Sequence, residues 1–174
     1  ENPAAPLAAM TYYNLAYRMG HERFASGLSS AGISGCILPD LPLEELDAWS
    51  DSAAKSNIET ILLAAPTTPD ERLSEICERS YGFVYAVGLL GVTGVRSELA
   101  DSAIKIASRL KKVTSKPVLV GVGIGNPEQA VKASEVSDGV IVGSAVVQEM
   151  IDGSSPEKVG ELVATFRNSL DKNC

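Results

Sequence analysis

The sequence predicts an α/β fold made of repeated βα units around a parallel sheet. Three observations predict it. Six short apolar runs recur at spacings of roughly 20–35 residues, as βα units require. None of the runs alternates polar with apolar, which marks strands covered on both faces. Segments with helical spacing lie between the runs. Two architectures fit this pattern, an open doubly wound sheet and a (βα)8 barrel. Six strands fill the first and fall two short of the second.

The expected strands are residues 6–12 (PLAAMTY), 35–39 (GCILP), 60–64 (TILLA), 82–87 (GFVYAV), 117–121 (PVLVG) and 139–142 (GVIV). After the first strand, Phe24, Leu28 and Ala31 share a helical face. After the second, Pro42 suits a helix start, and Leu46, Trp49 and Ala53 form the apolar stripe. The third helix carries Leu73, Ile76 and Cys77 behind Pro69, Asp70 and Glu71. The fourth carries Ile104, Ala107 and Leu110, with Lys111 and Lys112 at its negative end. Pro127 opens a helix through Ala130 and Ala133, and Ser155-Pro156 starts a last one through Val159, Leu162, Val163 and Phe166. No linker or low-complexity stretch divides the chain, so 1–174 is expected to be a single domain.

Composition narrows the function. A net charge of −7 and a pI near 4.8 disfavour nucleic acid and acidic membranes as partners. A small anion held by main-chain amides stays open. No apolar run approaches the roughly 20 residues of a membrane span. Cys36, Cys77 and Cys174 lack CxxC or CxxH spacing, so neither a disulfide framework nor a metal site is expected. They read as thiols of a reducing, cytoplasmic compartment.

The candidate chemistry lies in three glycine-containing stretches that directly follow the last three strands: 88–94 (GLLGVTG), 121–127 (GVGIGNP) and 143–148 (GSAVVQ). Glycine lets main-chain N–H groups approach a ligand, and a helix N-terminus adds partial positive charge. Two such turns at adjacent strands make a phosphate cradle without lysine. The second stretch is not GxGxxG, and no GxxxxGK[ST] occurs, which disfavours a dinucleotide site and excludes a P-loop.

Other candidates are fewer. His21, the only histidine, sits at a helix start beside Glu22 and Arg23 and reads as a solvated surface residue. Asp40, in residues 38–42 (LPDLP), is either an acid, base or positioning group at the strand end or the N-cap of the next helix. Tyr12 and Tyr85 stand at or near strand ends, where a phenol points into the core or at a ligand.

Residues 10–14 (MTYYN), 38–42 (LPDLP), 83–85 (FVY) with 91–94 (GVTG), 121–124 (GVGI) with 126–130 (NPEQA), and 138–145 (DGVIVGSA) stand in an order and spacing that resembles the tryptophan synthase alpha subunit. The resemblance runs from residue 6 to about residue 166. It implies a TIM barrel, here incomplete, with about six parallel strands and outer helices. It implies a carbon–carbon lyase that cleaves indole-3-glycerol phosphate to indole and glyceraldehyde 3-phosphate in tryptophan biosynthesis. It implies an α2β2 complex with a beta subunit that carries pyridoxal phosphate; the alpha chain itself needs no cofactor.

By matching position, Gly94, Gly123, Gly143 and Ser144 would cradle the phosphate. Thr93 would lie in a mobile lid over residues 88–99, and Tyr12 and Tyr85 would line the substrate pocket. Asn14, Tyr17, Asp40 and Pro42 would lie near the beta subunit. The first strand here resembles the family's third. The two carboxylates that move protons in the cleavage belong to units with no counterpart in these residues, so the chain is expected to be a C-terminal portion, inactive as a lyase alone. Alternatives are a non-catalytic sugar-phosphate-binding module, or another phosphate-binding barrel enzyme of histidine or thiamine biosynthesis.

Overall fold

A computed structural model describes residues 5–88, 96–121 and 123–173, with 96–100 described by backbone only. Six strands occur in sheet order identical to chain order, β1 to β6. They are β1 (Leu7–Met10), β2 (Ile33–Ile37), β3 (Glu59–Ala64), β4 (Val84–Val87), β5 (Val118–Gly121) and β6 (Gly139–Ile141). The fold is α/β. Its contacts group into two compact units, residues 1–63 with 75–84, and residues 64–74 with 85–174.

In the first unit β1, β2 and β3 are parallel neighbours, with Ala9 opposite Cys36 and Cys36 opposite Thr60. Cys36 and Ile37 are buried, as are Ile61 and Leu62 beside them. Strands β2 and β3 therefore bury their apolar runs, whereas β1 does not meet the expectation of burial on both faces: Leu7 is 44% and Met10 57% exposed. Two helices follow β1, α1 (Tyr13–Met19) and α2 (His21–Ser30). Gly20 separates them at φ 87°, a left-handed conformation that few other residues adopt without strain. The sequence reading anticipates α2 but not α1. It also extends the first strand to Tyr12, whereas β1 ends at Met10 and Tyr12 is 69% exposed. The apolar side of α2 is centred on buried Ala25, and Ala31 falls outside the helix.

After β2 comes a 3-10 turn, Leu43–Glu45, with Pro42 at its N-cap, and then α3 (Asp47–Lys55). Leu46, Trp49 and Ala53 are fully buried. The Trp49 indole Nε1 is the one buried side-chain polar atom without a hydrogen-bond partner among the described residues. Ser80 is also fully buried, and its hydroxyl is satisfied: it accepts Leu62 N–H at 3.1 Å and donates to Phe83 O at 2.7 Å.

The helix α4 (Asp70–Arg79) buries Leu73, Ile76 and Cys77, the predicted stripe. In the second unit, α5 (Arg96–Leu110) buries Ile106, Ala107 and Leu110, and α6 (Pro127–Ser134) buries Ala130 and Ala133. Then follow α7 (Ser144–Ile151) and α8 (Pro156–Asn173), the last with Phe166 buried but Val163 51% exposed.

A polar tie fixes the start of β5 against the turn before β6. Asp138 accepts Val118 N–H at 2.8 Å and Lys111 Nζ at 2.8 and 2.9 Å. The Lys111 hydrogen bonds, then the Val118 amide, hold its carboxyl below the usual carboxylate range.

Candidate functional site

The phosphate candidates stand at one end of the β5–β6 pair. These strands are parallel, and Gly121 lies opposite Ile141. Gly123 and Gly143 thus each follow a paired position by two residues, on neighbouring strands about 4.8 Å apart. Both glycines are exposed, as is Ser144. Gly123 has φ 96°, so its place in the turn favours glycine.

Gly143 is the N-cap of α7 and provides no side-chain cap. Val147 N–H is the first amide bonded back into the helix, to Gly143 O at 3.0 Å. The amides of Ser144, Ala145 and Val146 precede it and have no acceptor within the helix. A Cβ built at Gly143 meets nothing within 4 Å, so the space before this helix is open. Among the described residues these amides have no acceptor and the space before them is open, which with the helix dipole suits a small anion.

Not every glycine of the three glycine-containing stretches is available. Gly125 N–H donates to Gln129 Oε1 at 2.8 Å, while Gln129 N–H donates to Asn126 Oδ1 at 2.9 Å. This reciprocal cap closes the N-terminus of α6 with the protein's own side chains. The spacing Asn126-Pro-Glu-Gln129 carries that signal, which the sequence reading passes over. Gly88 N–H is likewise committed, to Gly121 O at 3.1 Å.

Tyr85 is 6% exposed. Its ring lies over Gly121: a Cβ there would collide with Cε2, Cζ and Oη of the phenol, Cζ at 2.6 Å. Burial raises the phenol's pKa, so it stays protonated and can donate a hydrogen bond. Gly121 therefore makes room for Tyr85 beside the cradle and need not itself bind an anion. Thr93 and Gly94 lie outside the described residues, and so does most of the predicted lid.

In the first unit, Asn14, Tyr17, Asp40 and Pro42 are exposed. Asp40 does not cap the helix that follows it. Its Oδ1 accepts the N–H of Tyr13, the first residue of α1, at 2.8 Å. His21 is not a solvated surface residue either. Its Nε2 lies 3.1 Å from the Tyr13 hydroxyl, and its ring stacks on Tyr13 at 5.7 Å and meets Trp49 edge-on at 6.3 Å. Tyr17 joins this cluster at 6.0 Å from the Tyr13 ring. Burial, then the nearby Glu45 charge, raises the Tyr13 pKa. Tyr12, Leu15, Tyr17 and Met19 are 69, 52, 69 and 49% exposed, an unusual density of large side chains in solvent.

A pocket of about 520 Å³ in this unit is lined by Asp47, Asp51, Glu59, Glu78 and Arg79 among others. It holds none of the predicted site residues. Glu59 begins β3, so the pocket lies at the amino end of that strand, away from the end where βα proteins bind ligands. Its cation is committed: Arg79 bonds Asp47, Glu75 and Leu43 O. Among the described residues, no group of three or more His, Cys, Asp or Glu could hold a metal ion, and no helix is long and apolar enough to cross a membrane.

Parallel βα units with outer helices place the chain in the TIM-barrel class, and the glycine turns after β5 and β6 are its candidate anion site. Comparison with known proteins agrees. The family model for the tryptophan synthase alpha chain matches residues 1–173. The alpha chain of Gloeobacter violaceus is 45% identical over 169 residues, covering 97% of this chain and 61% of that protein. The Arabidopsis thaliana alpha chain is 42% identical over 168 residues, covering 96% and 61%.

A chain of the Pyrococcus furiosus tryptophan synthase α2β2 complex superposes with a TM-score of 0.87 at 34% identity, covering 95% of this chain and 68% of that one. A Mycobacterium tuberculosis tryptophan synthase gives 0.85 at 36%, covering 95% and 63%. The chain belongs to the tryptophan synthase alpha chain family. It spans about three fifths of the length of the curated relatives it matches.

Proposed function

We propose that this chain provides the phosphate-binding end of an indole-3-glycerol phosphate site in a tryptophan synthase, a cytoplasmic lyase of tryptophan biosynthesis. The observation that carries the reading is the bare N-terminus of α7 beside the Gly123 turn. A phosphate seated there accepts the Ser144, Ala145 and Val146 amides and lies at the positive end of the helix. By the family resemblance Gly94 would join the cradle and Thr93 would orient a catalytic aspartate from the lid. Tyr85 packs against Gly121 beside the cradle, and the family resemblance gives Tyr85 and Tyr12 as residues that contact the substrate.

The phosphate lies far from the bond that breaks. Its binding energy therefore acts by orienting the indole and glycerol carbons for the proton transfers that separate them. Cleavage protonates indole C3 and deprotonates the glycerol hydroxyl as the aldehyde leaves. We assign neither proton transfer to a residue of this chain.

The beta chain is the proposed partner, through Asn14, Tyr17 and Pro42 with Asp40 close behind. The family's membership in α2β2 assemblies and the exposed aromatic and aliphatic side chains of α1 support this reading. Pyridoxal phosphate then belongs to the partner. Calorimetric titration with glycerol 3-phosphate tests the site. Binding that glycerol does not reproduce, with slowed hydrogen exchange in the first turn of α7, is the expected result. Absence of binding, or protection confined to other segments, would overturn the reading.

A further inference from the structure

The loop after β2 holds the helix after β1. The helix α1 has only seven residues, and Tyr12 at its N-cap makes no side-chain hydrogen bond. A helix this short has little stability of its own, and its first amides need acceptors from outside. Asp40 supplies one from 27 residues further along the chain, at 2.8 Å from Tyr13 N. Its carboxylate also faces the positive end of the helix. A second tie acts on the same residue, since the Tyr13 hydroxyl meets His21 Nε2. Tyr13 is thereby gripped at its amide from one loop and at its ring from α2. The exposed side chains of Leu15, Tyr17 and Met19 follow it directly.

We propose that Asp40 is a positioning residue for partner binding: it caps α1 from the neighbouring loop and so sets the face that helix presents to the beta chain. This rests on the reading of α1 as the partner-facing helix. Asp40 acts through the Tyr13 amide, not by touching the partner. Without the cap, α1 frays in the free chain, and docking must first restore it.

A double-mutant cycle tests this, with affinity for a tryptophan synthase beta chain as the readout. Tyr13→Pro removes the N–H that Asp40 accepts. The backbone tolerates it, because Tyr12 at φ −75° and ψ 143° is extended, as a residue before proline must be, and proline suits a first helical position. The lost ring contact with His21 is common to both Tyr13→Pro arms and cancels in the cycle. Asp40→Ala is expected to weaken binding about fivefold, the worth of a typical N-cap. Asp40→Asn keeps a capping oxygen and is expected to change affinity by less than about twofold. On the Tyr13→Pro background, Asp40→Ala is expected to have no further effect.

Hydrogen exchange in the α1 amides of the free chain should quicken in Asp40→Ala while β2 is unaffected. Tyr17→Ala separates the two layers. If it leaves affinity unchanged, the partner-facing reading of α1 fails. If Tyr17→Ala weakens binding but Asp40→Ala does not, the capping proposal fails alone. Equal effects of Asp40→Ala with Tyr13 or Pro at that position, or an Asp40→Asn as damaging as Asp40→Ala, also overturn it.

Discussion

Gly121→Ala adds one carbon at the most crowded glycine described. The new Cβ would fall inside contact distance of Cε2, Cζ and Oη of Tyr85, and neither group has an easy retreat. Gly121 is bonded into β5 opposite Ile141, and the Tyr85 ring is almost wholly buried. Overpacking of this kind costs about 1–3 kcal/mol. For a chain of this size that lowers Tm by roughly 2–12 °C. Circular dichroism on heating measures it. Three atoms of the ring collide, not the hydroxyl alone, so Tyr85→Phe should give little relief. Tyr85→Ala should remove the penalty: although it leaves a cavity of its own, adding Gly121→Ala to it should cost almost nothing. A Gly121→Ala cost that is the same with Tyr85 or Ala at 85 would refute the reasoning.

Other perturbations separate local effects by sign. In Gly143→Asp the new Cβ meets no atom of the described residues within 4 Å and the carboxylate can cap α7, so thermal stability should hold or rise while phosphate binding falls. Two like charges about 4 Å apart near a surface repel by on the order of 4 kcal/mol, so glycerol 3-phosphate titration should show a loss well above tenfold. Asp138→Ala should lower Tm modestly at neutral pH, by the equivalent of less than about 1 kcal/mol, because the Lys111 pair is part exposed. The folded-state pKa of Asp138 is depressed, so its contribution is present above the ordinary carboxylate range and disappears as pH falls through the lowered value. The Tm gap between wild type and Asp138→Ala should therefore close in acid. Cys36 is fully buried with its thiol pushed up to about 11, so iodoacetamide at mildly alkaline pH should label it only after denaturation, as read by mass spectrometry.

Sequence reasoning located what periodicity encodes. Leu46, Trp49 and Ala53 lie on one stripe, and all three are buried without remainder. Strands β2 to β5 read directly because buried parallel strands lose the polar alternation of a half-exposed strand; β1 and β6 are apolar in sequence yet less covered. What escaped is set by contacts between separate parts of the chain. Nothing near Asp40 shows that its carboxylate turns back to a helix 27 residues earlier. That contact exists because β1 and β2 are parallel neighbours, which brings their following loops together.

The helix α1 escaped for a related reason. Its seven residues lack a cap of their own and end at a glycine, so no local signal announces it. His21 reads as a surface residue from its charged neighbours, yet it packs against Tyr13, on the far side of the Gly20 break. Within the candidate phosphate site the glycines look alike as letters and differ in use. Gly121 yields space to a ring, Gly125 gives its amide to Gln129, and a Cβ at Gly143 would meet no atom of the described residues within 4 Å.

The amino end of α7 ties folding to ligand binding under the proposed reading. Among the described residues no side chain caps that end, so a bound dianion would complete it. A ligand bound there would add RT ln(1 + [L]/Kd) to the stability of the folded chain and would protect the first turn of α7. Ligand concentration would then set the lifetime of this segment, and a thermal shift would serve as a measure of affinity.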